Sequence, residues 1–338
     1  MWSAIQCAVQ GRGHLKNNIP CQDKTYSISS ENFIAVSLAD GAGSCSLSHI
    51  GAALVTRTIC ELLQRNFELY FSNNDGVAVK KDILRIIIDE LNKSAIVNDC
   101  EIKDLSSTLL FVAVRNNCFI LGHIGDGVIG YLKNNMLKVA SSPNNGEFVN
   151  TTIFTTSNSA LASMKLIRGN VEGIDSFILM SDGSESVFYK KSNSTLSDGL
   201  KKIIIMSEIL PKDEIEKRLT QLFNNKVRLH TSDDCSLVCL SNVSSFSGFI
   251  SLPISFKREL LRLSPATTKR IIKIYLNILD FLYYHNEQSL KIISKQVHVK
   301  PRYLEKKLEK LCRIGFVKCH NNMYRLNIIN YFNPCVKG

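Results

Sequence analysis

Short apolar runs typical of strands and longer stretches with a helical period alternate along the first 240 residues. The apolar runs predict strands at residues 2–9, 33–38, 108–114, 118–124, 128–132, 136–139, 176–180 and 235–240. Apolar positions that recur every three or four residues predict helices from residue 46 or 48 to about 71, and at residues 79–97, 200–209 and 213–223. Strands and helix pairs in this order predict an α+β domain with two packed antiparallel β-sheets flanked by helices.

Polar and glycine-containing segments mark where these elements end. Residues 11–24 form a polar stretch that is predicted to be a loop. The four strands between residues 108 and 139 are separated by Asn116-Asn117, Gly125-Asp126-Gly127 and Asn134-Asn135. Because such turns at this spacing are typical of hairpins, the four strands are predicted to form an antiparallel meander.

The pattern changes after a serine-rich segment at residues 241–251, which is predicted to be a linker. Beyond it, helices are predicted at 268–284, 289–296 and 301–313, and a hairpin at 316–327 with Asn321-Asn322 at its turn. A short helix, a turn, a second helix opened by Pro301 and a hairpin resemble a winged helix. The predicted domains are residues 1–242, a linker with a connecting helix at 243–264, and a winged-helix-like domain at 265–332.

The net charge of +11 is concentrated in the C-terminal part of the chain. Residues 1–250 contain 24 Lys and Arg against 25 Asp and Glu, whereas residues 251–338 contain 17 against 5. The last predicted helix and the residue before it carry Lys300, Arg302, Lys306, Lys307 and Lys310. Such a helix suits the phosphates of DNA, but winged helices also bind proteins, so DNA and protein both stay open as partners of this domain.

Three features of the chain bear on its location. The eleven cysteines are scattered and none form C-x-x-C, which favours reduced thiols in a cytoplasmic protein. The first ten residues lack the basic and apolar regions of a signal peptide. No uninterrupted apolar run reaches the roughly 18 residues of a membrane span. We therefore expect a cytoplasmic protein without membrane contact.

Aspartates in four short turns lie directly beside predicted strands: Asp23, Asp40, Asp182 and Asp233. A strand end followed by a tight turn holds a carboxylate rigidly. Several carboxylates that meet at one point cannot all stay ionised without a cation between them. Since ligation by oxygen alone favours Mg²⁺ or Mn²⁺ over Zn²⁺, this pattern predicts a metal-centred hydrolase.

Six segments resemble, in their order along the chain, the metal-dependent protein phosphatase 2C family. They are H-L-K-N-N-I-P-C-Q-D (14–23), A-D-G-A-G-S (39–44), S-S-T-L (106–109), G-H-I-G-D-G (122–127), M-S-D-G (180–183) and D-D-C-S-L-V (233–238). The first two segments are similar to those of a bacterial branch of the family. The resemblance covers about residues 1–240, and it implies a protein serine/threonine phosphatase.

The resemblance also implies a centre of two Mn²⁺ or Mg²⁺ ions with a water or hydroxide bridging them. In that arrangement Asp40 is the bridging carboxylate, and the carbonyl group of Gly41 helps to hold one ion. Asp182 and Asp233 ligate the other ion, and Asp234 falls on the family's asparagine position. The hydroxide attacks phosphorus directly, without a covalent phosphoenzyme.

Further positions are assigned by the same resemblance, and some depart from it. Asp23 would hold the water shell of the first ion, and Asp126 falls where some members hold a third, weaker ion. Gln22 stands where many members have Glu, which removes one negative charge from the site. Ala42 stands where some members carry a histidine proposed as general acid, so that water or His14 would have to protonate the leaving group.

The family's phosphate-binding arginine has no clear counterpart in the first loop, where His14, Lys16 and Arg12 are the candidates. The predicted function is hydrolysis of phosphoserine or phosphothreonine in a protein, in signalling with a partner kinase or its target. Two alternatives stay open. One is a degenerate domain that senses phosphoproteins without turnover, which Gln22 and Ala42 motivate; the other is a DNA-binding regulator switched by its phosphatase domain.

Overall fold

The computed structural model describes residues 1–143, 152–209, 212–242, 254, 257–258, 261–285 and 287–326. The chain divides into two compact units, one formed by residues 1–204 and 216–242 and the other by residues 205–215 and 243–338. The first unit contains two large sheets, and the second contains a small sheet with the helices of the C-terminal region.

Two five-stranded antiparallel sheets form the first unit. One consists of β1 (Trp2–Val9), β6 (Val128–Lys133), β7 (Met136–Ser141), β9 (Ile174–Met180) and β12 (Cys235–Asn242), in the order β1-β12-β9-β6-β7. The other consists of β2 (Lys24–Ser30), β3 (Phe33–Ala39), β4 (Leu109–Arg115), β5 (Cys118–Ile124) and β8 (Lys165–Asn170), in the order β2-β3-β4-β5-β8. Every strand predicted from the apolar runs is present, so the predicted α+β class with antiparallel sheets is confirmed.

The sheets share a core of apolar side chains that includes Ile34, Val36, Leu38, Leu110, Val112, Phe177, Leu179, Val238 and Leu240. The alternate positions of β3, Phe33, Ala35 and Ala39, belong to a second core. Because successive side chains of a strand point to opposite faces, β3 is covered on both sides. Its whole length is buried, which makes its end a rigid place for the residue that follows.

Two long helices pack on the second sheet through the second core. They are α2 (Ser48–Ser72) and α3 (Gly76–Val97), and their buried residues in that core include Val55, Ile59, Ile83 and Ile87. Asp75 caps α3, because its side chain accepts hydrogen bonds of 2.9 and 3.0 Å from two backbone N–H groups of the first turn. Both helices were predicted from their periodicity, and both are confirmed.

Shorter elements complete the first part of the chain. They are α4 (Ala160–Ser163), α5 (Asp182–Phe188), β10 (Tyr189–Lys190), β11 (Thr195–Leu196), α6 (Gly199–Ile209) and α7 (Lys212–Asn225). The last two confirm the predicted helices at 200–209 and 213–223. The strands β10 and β11 pair with each other as a small hairpin.

The predicted loop at residues 11–24 contains a helix, α1 (Arg12–Asn17), so this prediction is wrong in part. The helix has no buried residue and therefore no apolar stripe to signal it, and Asn18 ends it in a left-handed conformation with φ of 55°. The sequence pattern also misses β2 and β8. Both are edge strands of the second sheet with many polar side chains, which weakens the apolar signal.

The four strands between residues 108 and 139 do not form a single meander, and this prediction is wrong. β4 pairs with β5 in the second sheet, whereas β6 pairs with β7 and β9 in the first. The chain crosses between the sheets at Gly125-Asp126-Gly127, where Gly125 has φ of 111°, a conformation that other residues rarely adopt. An apolar pattern cannot distinguish a hairpin turn from such a crossing, since the strands are buried in either arrangement.

The second unit contains the helices Lys269–His285, Leu290–Gln296 and Pro301–Arg313, and a sheet of β13 (Gln288–Ser289), β14 (Val317–His320) and β15 (Met323–Leu326) in the order β13-β15-β14. These bounds confirm the predicted helices and hairpin. The turn residues Asn321 and Asn322 have positive φ values of 49° and 60°. Most of the predicted linker lies outside the described residues, and the domain bounds and the winged-helix assignment stay predictions.

Within the described ranges, none of the helices combines the length and the apolar character that a membrane span requires. The described cysteines are free thiols.

Candidate metal centre

Asp40 follows the last residue of β3, and its backbone is fixed to the start of β4. Its N–H donates to Thr108 Oγ1 at 2.8 Å, and the N–H of Thr108 donates to the carbonyl oxygen of Asp40 at 2.8 Å. The next residue, Gly41, forms a backbone bridge with Ser107, and its N–H donates to the carbonyl oxygen of Gln22 at 3.3 Å. Asp40 is therefore held where three separate segments meet.

Asp182 is the first residue of α5, and Ser181 alone separates it from Met180, the last residue of β9. The N–H of Ser181 donates to Ser236 of β12 at 3.3 Å, and the N–H of Ser236 donates to Ser181 Oγ at 3.0 Å. A Cβ at Gly183 would lie 1.9 Å from the carbonyl oxygen of Asp234, so a side chain does not fit there. The predicted tight turn is thus the start of a short helix, where an acidic side chain is favourable.

Asp126 lies at the crossing between the two sheets, and a hydrogen bond from a threonine side chain orients its carboxylate. Thr152 Oγ1 donates to Asp126 Oδ2 at 2.5 Å. The following glycine is also confined, because a Cβ at Gly127 would lie 2.7 Å from the carbonyl oxygen of Met180. Since Met180 ends β9 two residues before Asp182, the crossing brings Asp126 to the same place as the β9–α5 junction.

Three of the predicted carboxylates converge. Asp40, Asp126 and Asp182 each offer a carboxylate oxygen, and these atoms lie within 4.8 Å of one another. Burial raises the pKa of Asp40 well above its usual range, and the charges of Asp23 and Asp182 raise it further. Burial, followed by the charges of Asp126 and Asp233, raises the pKa of Asp182 to about 7. Carboxylates this close need protons or a cation between them, and a hard divalent cation fits a set of oxygen donors.

Asp23 is buried beside this group, with 1% of its surface exposed. Ser181 Oγ donates to Asp23 Oδ2 at 2.7 Å, which links Asp23 to the residue before Asp182. Burial raises the pKa of Asp23 to about 7, although the hydrogen bond from Ser181 lowers it. Asp23 Oδ1 and Asp182 Oδ1 are buried and have no hydrogen-bond partner among the described residues. Two unpaired carboxylate oxygens at one site fit a cation or its water shell.

The adjacent Asp233 and Asp234 have different surroundings. Asp234 is buried, and its two oxygens accept backbone N–H groups of Gly11 at 2.6 Å and Gln22 at 2.5 Å. Asp233 has a side chain that is 46% exposed, and it is not one of the three whose oxygens lie within 4.8 Å. His14 lies between them, with Nδ1 2.9 Å from Asp234 Oδ2 and Nε2 4.0 Å from Asp233 Oδ1.

Two positions that depart from the family pattern have structural contacts. Gln22 Nε2 donates to the carbonyl oxygen of Cys45 at 3.2 Å, so it ties the segment after Asp40 to the first loop. Ala42 is buried, and its N–H donates to the carbonyl oxygen of Ser106 at 2.9 Å. Neither side chain supplies a negative charge or an acidic proton to the site.

A buried acid and its lysine partner beside the centre were not predicted. Glu185 lies one helical turn after Asp182 on α5, and its Oε2 is 2.8 Å from Lys191 Nζ. The Glu185 side chain is 6% exposed and that of Lys191 is 71% exposed. The hydrogen bond to Glu185 raises the pKa of Lys191, and the charges of Asp182 and Asp126 add to this effect. The spacing of Glu185 from Asp182 is a usable sequence signal, but nothing in the sequence marks Lys191 among 41 basic residues.

The fold contains two packed antiparallel sheets, and it brings a cluster of carboxylates together. These two features define the protein as a candidate metal-dependent hydrolase. Comparison with known proteins is more specific. The family model described as protein phosphatase 2C matches residues 10–224, and the chain belongs to this family. Serine/threonine-protein phosphatase 3 of Escherichia coli strain K12 is 25% identical over 170 residues, which are 48% of this chain and 66% of that relative. The chain therefore carries a protein serine/threonine phosphatase domain, as the resemblance implied.

Solved structures agree with the fold. A bacterial serine phosphatase matches with a TM-score of 0.52 and 15% identity, covering 71% of this chain and 98% of that one. The serine/threonine phosphatase Stp1 from Staphylococcus aureus matches with a TM-score of 0.50 and 16% identity, covering 72% of this chain and 95% of that one. At these identities the likeness establishes the fold alone, and the role of each site residue stays a prediction.

Proposed function

We propose that the first unit is a metal-dependent phosphatase that hydrolyses phosphoserine or phosphothreonine in proteins. The observation that carries this proposal is the convergence of three carboxylate oxygens within 4.8 Å in a chain of the protein phosphatase 2C family. A phosphate dianion would be repelled by these carboxylates alone. The cluster suits such a substrate only when cations offset its charge.

The proposed ligands of two Mn²⁺ or Mg²⁺ ions are Asp40, the carbonyl group of Gly41, Asp182 and Asp233, with Asp126 for a third ion. When bound, the ions would supply an activated water and would offset the charge of the phosphate. Asp23, whose Oδ1 has no partner among the described residues, is proposed to accept a hydrogen bond from their water shell. The donors are hard oxygens throughout, which fits Mn²⁺ or Mg²⁺.

Two further side chains are proposed to handle the substrate. His14, whose Nδ1 lies 2.9 Å from Asp234 Oδ2, is proposed to donate a proton to the leaving oxygen through Nε2. Lys191, fixed by the buried Glu185, is a cation beside the acidic centre. We assign it the task of orienting a phosphate oxygen, in place of the arginine that the first loop lacks.

The direct test is a phosphatase assay on a phosphopeptide with added Mn²⁺. The account predicts turnover that depends on Mn²⁺ and is lost with a chelator. Asp40→Asn should lower kcat by at least about 100-fold while leaving the fold intact, because it removes a carboxylate charge that would hold the ions. Asp182→Asn should lower the rate similarly and raise the Mn²⁺ concentration needed for half-maximal activity.

Asp89→Asn is the matched control, since Asp89 is exposed on α3 and makes an ion pair with Arg85 away from the cluster. It should keep the wild-type rate. If Asp40→Asn also keeps that rate, the assignment of the bridging ligand is wrong. Absence of turnover at millimolar Mn²⁺ together with retained phosphopeptide binding would instead favour the phosphoprotein sensor that Gln22 and Ala42 suggest.

The cellular setting is part of the same proposal. A cytoplasmic location rests on the cysteine pattern, and a bacterial-type signalling role with a partner kinase or its target rests on the family. The winged-helix-like fold of the second unit, with DNA or protein as its partner, rests on the predicted helices and on the charge of residues 251–338.

A further inference from the structure

A stripe of cations runs along one face of the helix Pro301–Arg313. The stripe consists of Arg302, Lys306, Lys310 and Arg313, which follow one another at intervals of four, four and three residues. Residues at these intervals share one face of a helix. The buried face of the same helix carries the leucines at positions 304, 308 and 311, so the stripe lies away from the core of the unit.

Most of the stripe is exposed and lacks an acidic partner. In the described ranges, no carboxylate lies within 4.0 Å of the side-chain nitrogens of Arg302, Lys306 or Arg313, and these three residues are exposed. Lys310 is partly buried, and its Nζ donates to the carbonyl oxygen of Arg262 at 2.8 Å. Burial lowers the pKa of Lys310, and the charges of Lys307 and Arg313 lower it further.

The hairpin that follows the helix holds a second pair of like charges. Lys318 of β14 lies directly opposite Arg325 of β15, and both residues are exposed. Like charges directly opposite each other destabilise a hairpin. The unit therefore keeps cations together on two elements at a cost in stability, and a polyanionic ligand would relieve the repulsion on both.

The stripe lies on the second helix of a helix–turn–helix pair. The helices Leu290–Gln296 and Pro301–Arg313 contact each other and are joined by four residues. Ser294 Oγ donates to the carbonyl oxygen of Val299 at 2.6 Å and closes this turn. In proteins with this arrangement the second helix enters the major groove of DNA, and its N-terminal part contacts the bases.

We propose that the second unit binds duplex DNA, with the stripe in the major groove and the Lys318–Arg325 pair on the neighbouring phosphates. The major groove is about 12 Å wide, which matches the diameter of a helix with its side chains. An acidic protein or a lipid surface offers negative charge as well, but neither explains a cationic second helix in a helix–turn–helix pair. DNA binding by the second unit rests on the winged-helix-like fold proposed above for that unit, and it is independent of the phosphatase activity of the first unit.

The test measures the fluorescence anisotropy of a labelled duplex of mixed sequence with the full chain at several salt concentrations. The wild type should bind at 50 mM NaCl, and its affinity should fall by at least about tenfold at 200 mM. The double variant Arg302→Glu with Lys306→Glu should bind at least about tenfold more weakly and lower the slope of log affinity against log salt by about 2.

The matched control is Lys269→Glu with Lys273→Glu, which changes the net charge equally at exposed positions of the helix Lys269–His285. It should keep DNA affinity within about threefold of the wild type, and circular dichroism should show that both double variants are folded. Absence of an anisotropy change at 50 mM NaCl would overturn the proposal. So would an equal loss in the control variant, or binding to anionic vesicles or polyglutamate without binding to DNA.

A second variant separates ligand binding from structure. Lys318→Thr removes the like-charge pair and leaves a residue that favours strands. It should raise the melting temperature and at the same time weaken DNA binding. If Lys318 had only a structural role, its replacement would change the melting temperature without weakening DNA binding. If Lys318→Thr leaves DNA affinity unchanged, the hairpin is not part of the binding face.

Discussion

Gly183 and Gly11 allow the segment that carries Asp233 and Asp234 to pass close to the carboxylate cluster. A Cβ at Gly183 would lie 1.9 Å from the carbonyl oxygen of Asp234, and a Cβ at Gly11 would lie 2.3 Å from the carbonyl oxygen of Asp233. In both places the obstacle is backbone, which cannot rotate away as a flexible side chain does. The positions of Asp182 and Asp234 therefore depend on the absence of a side chain between them.

Gly183→Ala should accordingly lower the free energy of unfolding by about 1–3 kcal/mol, because the added methyl group must displace backbone. The same change should lower the phosphatase rate, since it shifts Asp182. Gly76→Ala is the control, because its Cβ would meet only the end of the flexible Arg168 side chain at 3.7 Å. Chemical denaturation checks both variants, and equal stability of Gly183→Ala and wild type would contradict this account of the β9–α5 junction.

Single residues also show what the sequence predicts and what it does not. Asp40 and Asp182 were predicted because each lies in a short glycine-marked turn beside an apolar run, whereas Asp126 was assigned only by the resemblance to the phosphatase 2C family. Asp234 was predicted only as the neighbour of a ligand. Its actual contacts, the N–H groups of Gly11 and Gln22, lie 223 and 212 residues away in the chain, and no local pattern records a pairing of that kind.

At the scale of elements, the small β10–β11 hairpin lies beside the carboxylate cluster in the chain and carries an exposed lysine, Lys191. The hairpin follows α5 directly, and Lys191 between its strands reaches back to Glu185 on that helix. A buried carboxylate with a single cationic partner fixes the start of the hairpin relative to Asp182. The hairpin is therefore suited to present Lys191 to a phosphate that enters the site.

Lys191→Met should raise KM for a phosphopeptide by roughly tenfold with a smaller effect on kcat, because it removes one charge-assisted hydrogen bond to the substrate. The metal concentration needed for activity should stay the same. Lys190→Met, at the exposed neighbouring position, should leave KM unchanged. Steady-state kinetics at saturating Mn²⁺ checks both variants. A fall in kcat with unchanged KM for Lys191→Met would assign Lys191 another role.

Secondary-structure elements were predictable from the sequence where one face or the whole element is buried, as for α2 and β3. Elements with many exposed polar residues were harder to predict. The edge strands β2 and β8 were missed because polar residues interrupt their apolar pattern. The passage at Gly125-Asp126-Gly127 was taken for a hairpin turn. A local sequence shows that the chain reverses or turns, but the sheet in which the next strand pairs is decided by long-range contacts.

At the scale of the whole molecule, the carboxylate cluster couples folding to pH. In the folded protein, Asp23 and Asp182 each have a pKa of about 7. Unfolded aspartate has a pKa of about 3.9. Between these values the folded state binds more protons than the unfolded state. The stability that this provides is present below pH ~4 and is lost as pH rises towards ~7. His123, whose pKa burial lowers to about 3, acts in the opposite direction with or without metal.

The rise in melting temperature caused by Mn²⁺ should therefore be larger at pH 8 than at pH 5.5, because bound ions compete with protons for the same carboxylates. The melting temperature is compared with and without about 1 mM Mn²⁺ at each pH. Because His123 affects both samples equally, its contribution to the pH dependence of stability largely cancels. Differential scanning fluorimetry provides the measurement. An equal rise at both pH values would mean that Mn²⁺ does not bind at this cluster.

The most direct test of the central claim, that the converging carboxylates hold a pair of ions, is anomalous scattering from crystals soaked in Mn²⁺. The account predicts two adjacent peaks, both in contact with Asp40 and one also in contact with Asp182. Absence of peaks at these carboxylates, or peaks bound only elsewhere on the molecule, would contradict it.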